Sequence, residues 1–267
     1  MLNVQWIKLD EVDSTNNYLR HLDMPDDRRM MLVTAEYQTT GRGAGTNCWE
    51  SAKGENLLFS LRVMPSALPP SRMFAISEAA ALAVRESLPL PLQRRGERRN
   101  SGQFPPPLER KGETFSVKWP NDIYYEDCKV AGILIENDLQ GSLVRSSVIG
   151  IGINVNQRRF LSDAPNPRSL ADIVGHDVER RLVLEMFMEC FTRYMQMLDE
   201  GSSETLDALH ENYKKHLYRF GEGHKYADEM GVFCATLIDV EQSGHLILLD
   251  KEGNRRRYDF KEVKYII

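Results

Sequence analysis

Residues 115–134 read FSVKWPNDIYYEDCKVAGIL, and this run decides the fold. Phe115–Trp119 is short and largely apolar, as a sheet strand is. Pro120, following the bulky Trp119, ends it because proline lacks an N–H to continue the ladder. Asn121 and Asp122 are then left in the turn, where polar side chains can face a site. Lys129 begins the next strand, Val130–Glu136, and Val148–Val155 supplies another short apolar segment. Upstream, Met30–Glu36 and Asn56–Val63 read as strands, and residues 2–9 (LNVQWIKL) alternate well enough for a first one. Between them, Asp13-Ser14-Thr15-Asn16 offers capping side chains for a helix through Tyr18-Leu19.

Three longer segments have helical periodicity: Met73–Leu88, rich in Ala and Leu, Arg181–Leu198 and Ser203–Leu217. After Gly221 the pattern turns to short β runs, VFCATLIDV, HLILL and RRYDF, separated by Gly-containing turns. The expected class is α+β: a mixed sheet backed by helices, over residues 1–219, with a small all-β module over 220–267. Residues 93–114 hold six basic and three acidic residues and three consecutive prolines. Such a stretch contributes little to a core and reads as a flexible insertion.

The whole chain, 267 residues with 42% hydrophobic and 27% charged residues, has the composition of a globular protein large enough to bury a substantial core. A formal charge of −5 gives no bulk attraction to DNA or anionic lipid. No apolar run approaches the ~18 residues of a membrane span, and no basic-then-apolar leader opens the sequence, so a cytoplasmic protein is expected. The four cysteines are scattered, without a CxxC pair or zinc spacing, and free thiols are expected. The six histidines form no recognisable pair with a nucleophile.

Three segments carry candidate chemistry. Gly41-Arg42-Gly43-Ala44-Gly45 places three glycines in five residues, so that backbone N–H groups can approach a ligand while Arg42 offers a planar cation to carboxylate or phosphate. It is not a P-loop, since no Gly-Lys-Ser/Thr follows, and a plain surface turn has the same composition. Asn121 and Asp122 with Lys129 suit a polar ligand or a Mg²⁺ ion, and Gly132 would let a flat ligand lie against the backbone. Gly150-Ile151-Gly152-Ile153-Asn154 ends an apolar strand in an amide, but Val155 stands where a dinucleotide fingerprint needs glycine.

In this order and spacing the segments resemble the biotin protein ligase family. The resemblance runs from about residue 5 to 156 and rests on DSTN at 13–16, AEYQTTGRG at 35–43 with Trp49 downstream, KWPND at 118–122, KVAGIL at 129–134 and GIGIN at 150–154. The β-rich tail is similar to that family's SH3-like C-terminal barrel.

The resemblance implies a two-step ligase: biotin and Mg-ATP give biotinyl-5′-AMP, and a lysine of the biotin carboxyl carrier of a carboxylase then displaces AMP. It implies catalytic roles for Lys129 and Arg42. Ser14, Thr15, Asn16, Gln38, Gly41, Arg42, Gly43, Lys129, Gly132 and Ile133 would bind biotin. Arg42, Ala44, Trp49, Asn121, Asp122, Lys129 and Asn154 would fall on the ATP and adenylate side, with Asp122 the candidate contact for Mg²⁺. A fixed cation is needed where a carboxylate meets a triphosphate, and Lys129 is the best candidate on physical grounds too.

The sequence departs from the family where further arginines follow three and six positions after the first loop glycine. Here stand Ala44 and Asn47. The mixed anhydride is therefore expected to be held less tightly unless other residues compensate, the 93–114 arm being one possible source of cations. Lipoate or octanoate ligases and transferases, and a non-catalytic biotin-binding module, are the alternatives. A DNA-binding repressor form is not expected, because the first motif begins at Asp13. The sequence leaves open whether the protein forms a homodimer.

Overall fold

The computed structural model describes residues 4–23, 30–66, 68–89, 115–161 and 166–267. The 93–114 insertion expected from composition lies outside the described residues, as do the first two residues of the expected N-terminal strand.

A seven-stranded sheet forms the body. In chain order its strands are β1 (Val4–Val12), β2 (Met30–Gln38), β3 (Leu57–Val63), β4 (Phe115–Lys118), β5 (Asp122–Tyr125), β6 (Cys128–Gln140) and β7 (Leu143–Ile153), arranged β1-β2-β3-β7-β6-β5-β4. β1 and β2 are parallel and the other neighbours antiparallel, so the sheet is mixed. Its helices are α1 (Thr15–Arg20), α2 (Phe74–Ser87), α3 (Leu170–Val174), α4 (Arg180–Glu200) and α5 (Ser203–Lys215).

Period-two alternation sends side chains to both faces. Met30 and Leu32 enter the main core with α2, α4 and α5, whereas Met31 and Val33 join Leu19 of α1 and Val148 in a second cluster. α2 is packed closely enough that Ala75, Ala79, Ala80, Ala81 and Ala83 are all buried, which small side chains and high helix propensity both favour. Ser169 and Ser202 cap α3 and α5 by accepting from Asp172 N and Thr205 N, and left-handed Gly175 and Gly201 end α3 and α4.

A second, antiparallel five-stranded sheet follows, β8 (Gly223–Asp228), β9 (Gly231–Val240), β10 (Leu246–Asp250), β11 (Arg255–Tyr258) and β12 (Lys264–Tyr265), in the order β11-β10-β9-β8-β12. Its Tyr226, Leu237, Val240 and Leu246 belong to the same core cluster as the large sheet.

The turn after Pro120 differs from expectation. It spans only residues 119–121, and Asp122 already opens β5. Ile123-Tyr124-Tyr125 is a β-favouring run that three buried positions hold in the sheet. All four cysteines are free. Among the described residues no helix is long and apolar enough to cross a membrane.

Candidate functional site

The repeat Gly150-Ile151-Gly152-Ile153 builds the floor of a cavity. On β7, Ile151 and Ile153 point into the main core, so the intervening glycines necessarily face the opposite side, where α1 sits. Gly132 of β6 pairs directly with Gly152, and Leu134 with Gly150. Three glycines thereby leave a trough of bare backbone on one sheet face. The trough is used: a Cβ at Gly150 would strike the Asn16 side chain, and a Cβ at Gly152 or Gly132 would strike the Trp49 indole.

The cavity above this floor has a volume of about 640 Å³. Ser14, Thr15, Asn16 and Gln38 form one end, the loop residues Arg42–Ala44 and Thr46–Trp49 one side, Lys118–Asp122 and Lys129 another. Phe260, Lys261 and Val263 of the β11–β12 connection, with Lys264 and Tyr265 of β12, close it. Most residues singled out in the sequence therefore converge here. Gly41 and Asn154 do not line it. Gly41 lets the loop fold back, its carbonyl accepting from Trp49 N at 2.9 Å, and a Cβ there would stand 2.5 Å from the Trp49 carbonyl. Asn154 ties β7 to β6, its N–H donating to Val130 O at 2.9 Å. Ile133 borders the cavity while packing in the main core.

At the polar end Ser14, Thr15 and Asn16 are buried. Thr15 donates to Gln38 Oε1 through both its N–H (2.7 Å) and its hydroxyl (3.0 Å). Ser60 Oγ lies 2.7 Å from Thr15 Oγ1 and 2.6 Å from Asn16 Oδ1. Asn16 Nδ2 donates to Glu136 Oε2 at 3.1 Å. With its amide so engaged, Asn16 holds α1 on the sheet.

The charged side is a set of matched pairs. Lys129 Nζ lies 2.7 Å from Asp122 Oδ1, both partly exposed to the cavity. Arg42 forks onto Glu136 at 3.1 and 3.2 Å and onto Asn17 Oδ1 at 2.8 Å, while Arg20 meets the same Glu136 at 2.8 Å. Lys118 Nζ lies over the rings of Tyr124 and Tyr265, at 5.4 and 4.7 Å from their centroids. Burial pushes its pKa below the ordinary lysine value, and the charges of Lys129 and Arg219 add to this against the pull of Asp122. Asn121 steadies the turn by donating its amide to Ile133 O. Trp49 lies 5.7 Å (ring centroid) from Lys129 Nζ, and its buried indole N–H has no partner among the described residues. A buried donor of that kind is an opening for a ligand acceptor.

Sequence reasoning missed Glu136, Asn17, Ser60 and the residues from Phe260 to Tyr265. None belongs to a local pattern; pairing of distant strands brings them in. Lys118 was visible inside KWPND without a role. Among the described residues no cluster of three or more His, Cys, Asp or Glu could hold a metal by itself. Asp122 is the acidic residue of the cavity lining.

Residues 9–154 match the Biotin/lipoate A/B protein ligase family. The bifunctional ligase/repressor BirA of Bacillus subtilis is 28% identical over 255 residues, covering 93% of this chain and 70% of its own. The biotin--[acetyl-CoA-carboxylase] ligase of Paracoccus denitrificans is 30% identical over 197 residues, 72% of this chain and 73% of its own. The structure of the biotin protein ligase from Aquifex aeolicus in complex with biotin and ATP superimposes with a TM-score of 0.71 at 26% identity, over 98% of this chain and 99% of that one.

Proposed function

The chain belongs to the Biotin/lipoate A/B protein ligase family, and from that premise we propose that it activates biotin as biotinyl-5′-AMP and transfers it to a lysine of a biotin carboxyl carrier protein or domain. In the first step a biotin carboxylate oxygen attacks the α-phosphorus of ATP and the bond to the β-phosphate oxygen breaks, releasing pyrophosphate. In the second the carrier lysine's amine attacks the acyl carbon, AMP leaves, and the amine loses a proton. Residues 1–219 carry this chemistry, and the tail domain, 220–267, closes the cavity.

The observation that carries the reading is the cavity's polarity. Ser14, Thr15 and Gln38 offer hydrogen bonds suited to a ureido ring, and Lys118 and Lys129 line the same cavity, Lys129 beside Gly132 of the glycine trough. A carboxylate and a triphosphate repel each other, and Lys129 between them would stabilise the charge that builds on the α-phosphate. Lys118 favours the same anions: burial lowers its pKa, and a nearby phosphate would stabilise its ammonium form. Arg42 and the loop around Gly43 and Ala44 would order over the substrate, and Gly132 leaves room for it. The indole N–H of Trp49 and its ring suit the adenylate. Mg²⁺ would come with ATP and meet Asp122. Much of the remaining catalysis is positioning of two substrates in line. A cytoplasmic location accompanies this reading.

The test is exchange of labelled pyrophosphate into ATP with biotin, lipoate or octanoate. Exchange with biotin alone is expected; exchange with lipoate or octanoate instead would overturn the substrate, and none with any would overturn the ligase. Lys129→Ala should lower biotin-dependent exchange by at least about a hundredfold and weaken biotin binding. Near-normal pyrophosphate release by that variant would remove Lys129 from the role.

A further inference from the structure

The glycine-rich loop has no cation at its tip, where Ala44, Thr46 and Asn47 face the cavity. The tip is a hairpin, closed by the Arg42–Cys48 bridge and by Gly43 N donating to Asn47 O at 2.8 Å. A cation nevertheless reaches it from the far end of the chain. Lys261, between β11 and β12, extends its ammonium over the loop so closely that a Cβ at Gly45 would collide with Nζ. Lys264 borders the same cavity. Lys261 is exposed and, among the described residues, no carboxylate lies within ion-pair distance of it; its recorded neighbour is the Phe260 ring, 5.7 Å from Nζ to centroid. Its backbone is left-handed, φ 74°, a conformation that glycine adopts freely and lysine at a cost. Arg42 and Lys129, by contrast, already have carboxylate partners.

We propose that Lys261 is a phosphate-binding residue of the active site, supplied by the tail domain: it holds the α-phosphate of ATP and then the phosphate of the acyl-adenylate at the loop tip. This rests on the ligase reading above. The group recognised is a phosphate monoanion or polyanion, and a single charge-assisted contact of this kind changes affinity by about tenfold.

Lys261→Gly tests it, because glycine suits the left-handed backbone, so the variant keeps its thermal stability while losing the side chain that carries the ammonium. The expected result is a KM for ATP about tenfold higher and release of biotinyl-AMP about tenfold faster, with the Kd for biotin within about twofold of the parent. Ala44→Arg placed in the Lys261→Gly background should restore retention by returning a cation to the loop. An unchanged KM for ATP and unchanged release rate, in an enzyme whose parent performs biotin-dependent exchange, would overturn the assignment and leave the ligase standing. A parent without any such exchange would overturn both.

Discussion

Glu136 shows how much a single carboxylate beside this cavity organises, through partners that include the lining residues Asn16 and Arg42. It accepts from Arg20, Arg42 and Asn16 at once, and so fixes the loop arginine, α1 and β6 to one point. Gly132 is the complementary case, a position defined by what it lacks. A methyl there would stand 2.9 Å from the Trp49 ring and 3.2 Å from Lys129 Nζ, both of them cavity residues. Gly132→Ala should therefore unfold at nearly the parental temperature, since it crowds no core side chain, while biotin-dependent exchange falls by about tenfold or more as indole and ammonium are displaced. A variant with parental exchange kinetics would show that the trough tolerates a methyl. Asp122, Lys129 and Gly132 were legible because each lies in a short contiguous motif whose residue types declare their chemistry, whereas Lys118 and the glycines of GIGI stood in such motifs without a role. Glu136 was not: nothing in its neighbours distinguishes it from a solvated strand end, and only the folding of α1 onto β6 gives it three partners.

At the level of elements, α2 and α5 are joined by one buried ion pair, His210 Nδ1 to Glu78 Oε1 at 2.5 Å. Burial lowers the histidine's affinity for a proton, but the hydrogen bond and charge of Glu78 outweigh it, and the net shift is upward. A histidine raised in the folded state contributes stability that is fully present below its unfolded value of about 6.5 and is lost as the pH climbs through the folded value. Burial also raises the Glu78 carboxyl, against the pull of His210, so neither partner reverses the trend. Tm should fall as pH rises above about 6.5, and the fall should be shallower in a Glu78→Gln, His210→Gln double variant. Glu78→Ala alone, which leaves a buried histidine unpartnered, should cost about 3 kcal/mol in a denaturation experiment. The sequence marked α2, α4 and α5 by their periodicity to within a few residues. It did not mark α3, whose five residues are too short for a period, nor β5, β8 and β12, which depend on ladder partners. β6 runs to Gln140, four residues past the expected end, because pairing with β7 carries its polar half as a hairpin.

Across the whole molecule the two sheets behave as one body. Val117 of β4 accepts from Tyr218 N at 2.9 Å and donates to His216 O at 2.8 Å, so the chain enters the tail by extending the edge of the large sheet. Trp119 Nε1 donates to Gly244 O at 2.9 Å, and its ring meets Phe260 at 6.4 Å. Gly244, left-handed at φ 92°, packs on Phe74 so tightly that a Cβ would stand 2.7 Å from the ring. With a shared core and these links, unfolding by denaturant should be a single transition, coincident by tryptophan fluorescence and far-UV circular dichroism. Trp119→Phe, which removes one hydrogen bond across the junction, should lower stability by about 1 kcal/mol without splitting that transition. Two resolved transitions would show that the tail folds independently. Such docking could not be read from the chain, where the KWPND tryptophan and the QSG turn stand more than a hundred residues apart.

The wall that closes the cavity is made by Phe260, Lys261, Val263, Lys264 and Tyr265, whereas its floor and polar end are made by residues up to Gly152. Chains emerge from the ribosome N-terminus first, at about 5–20 residues per second, and domains generally fold as units. Because the tail shares its core with the large sheet, the trough and the loop gain their full packing only once the tail strands are available. Completion of the cavity is a late event in the life of each molecule, set by synthesis of the segment that carries Phe260 to Tyr265.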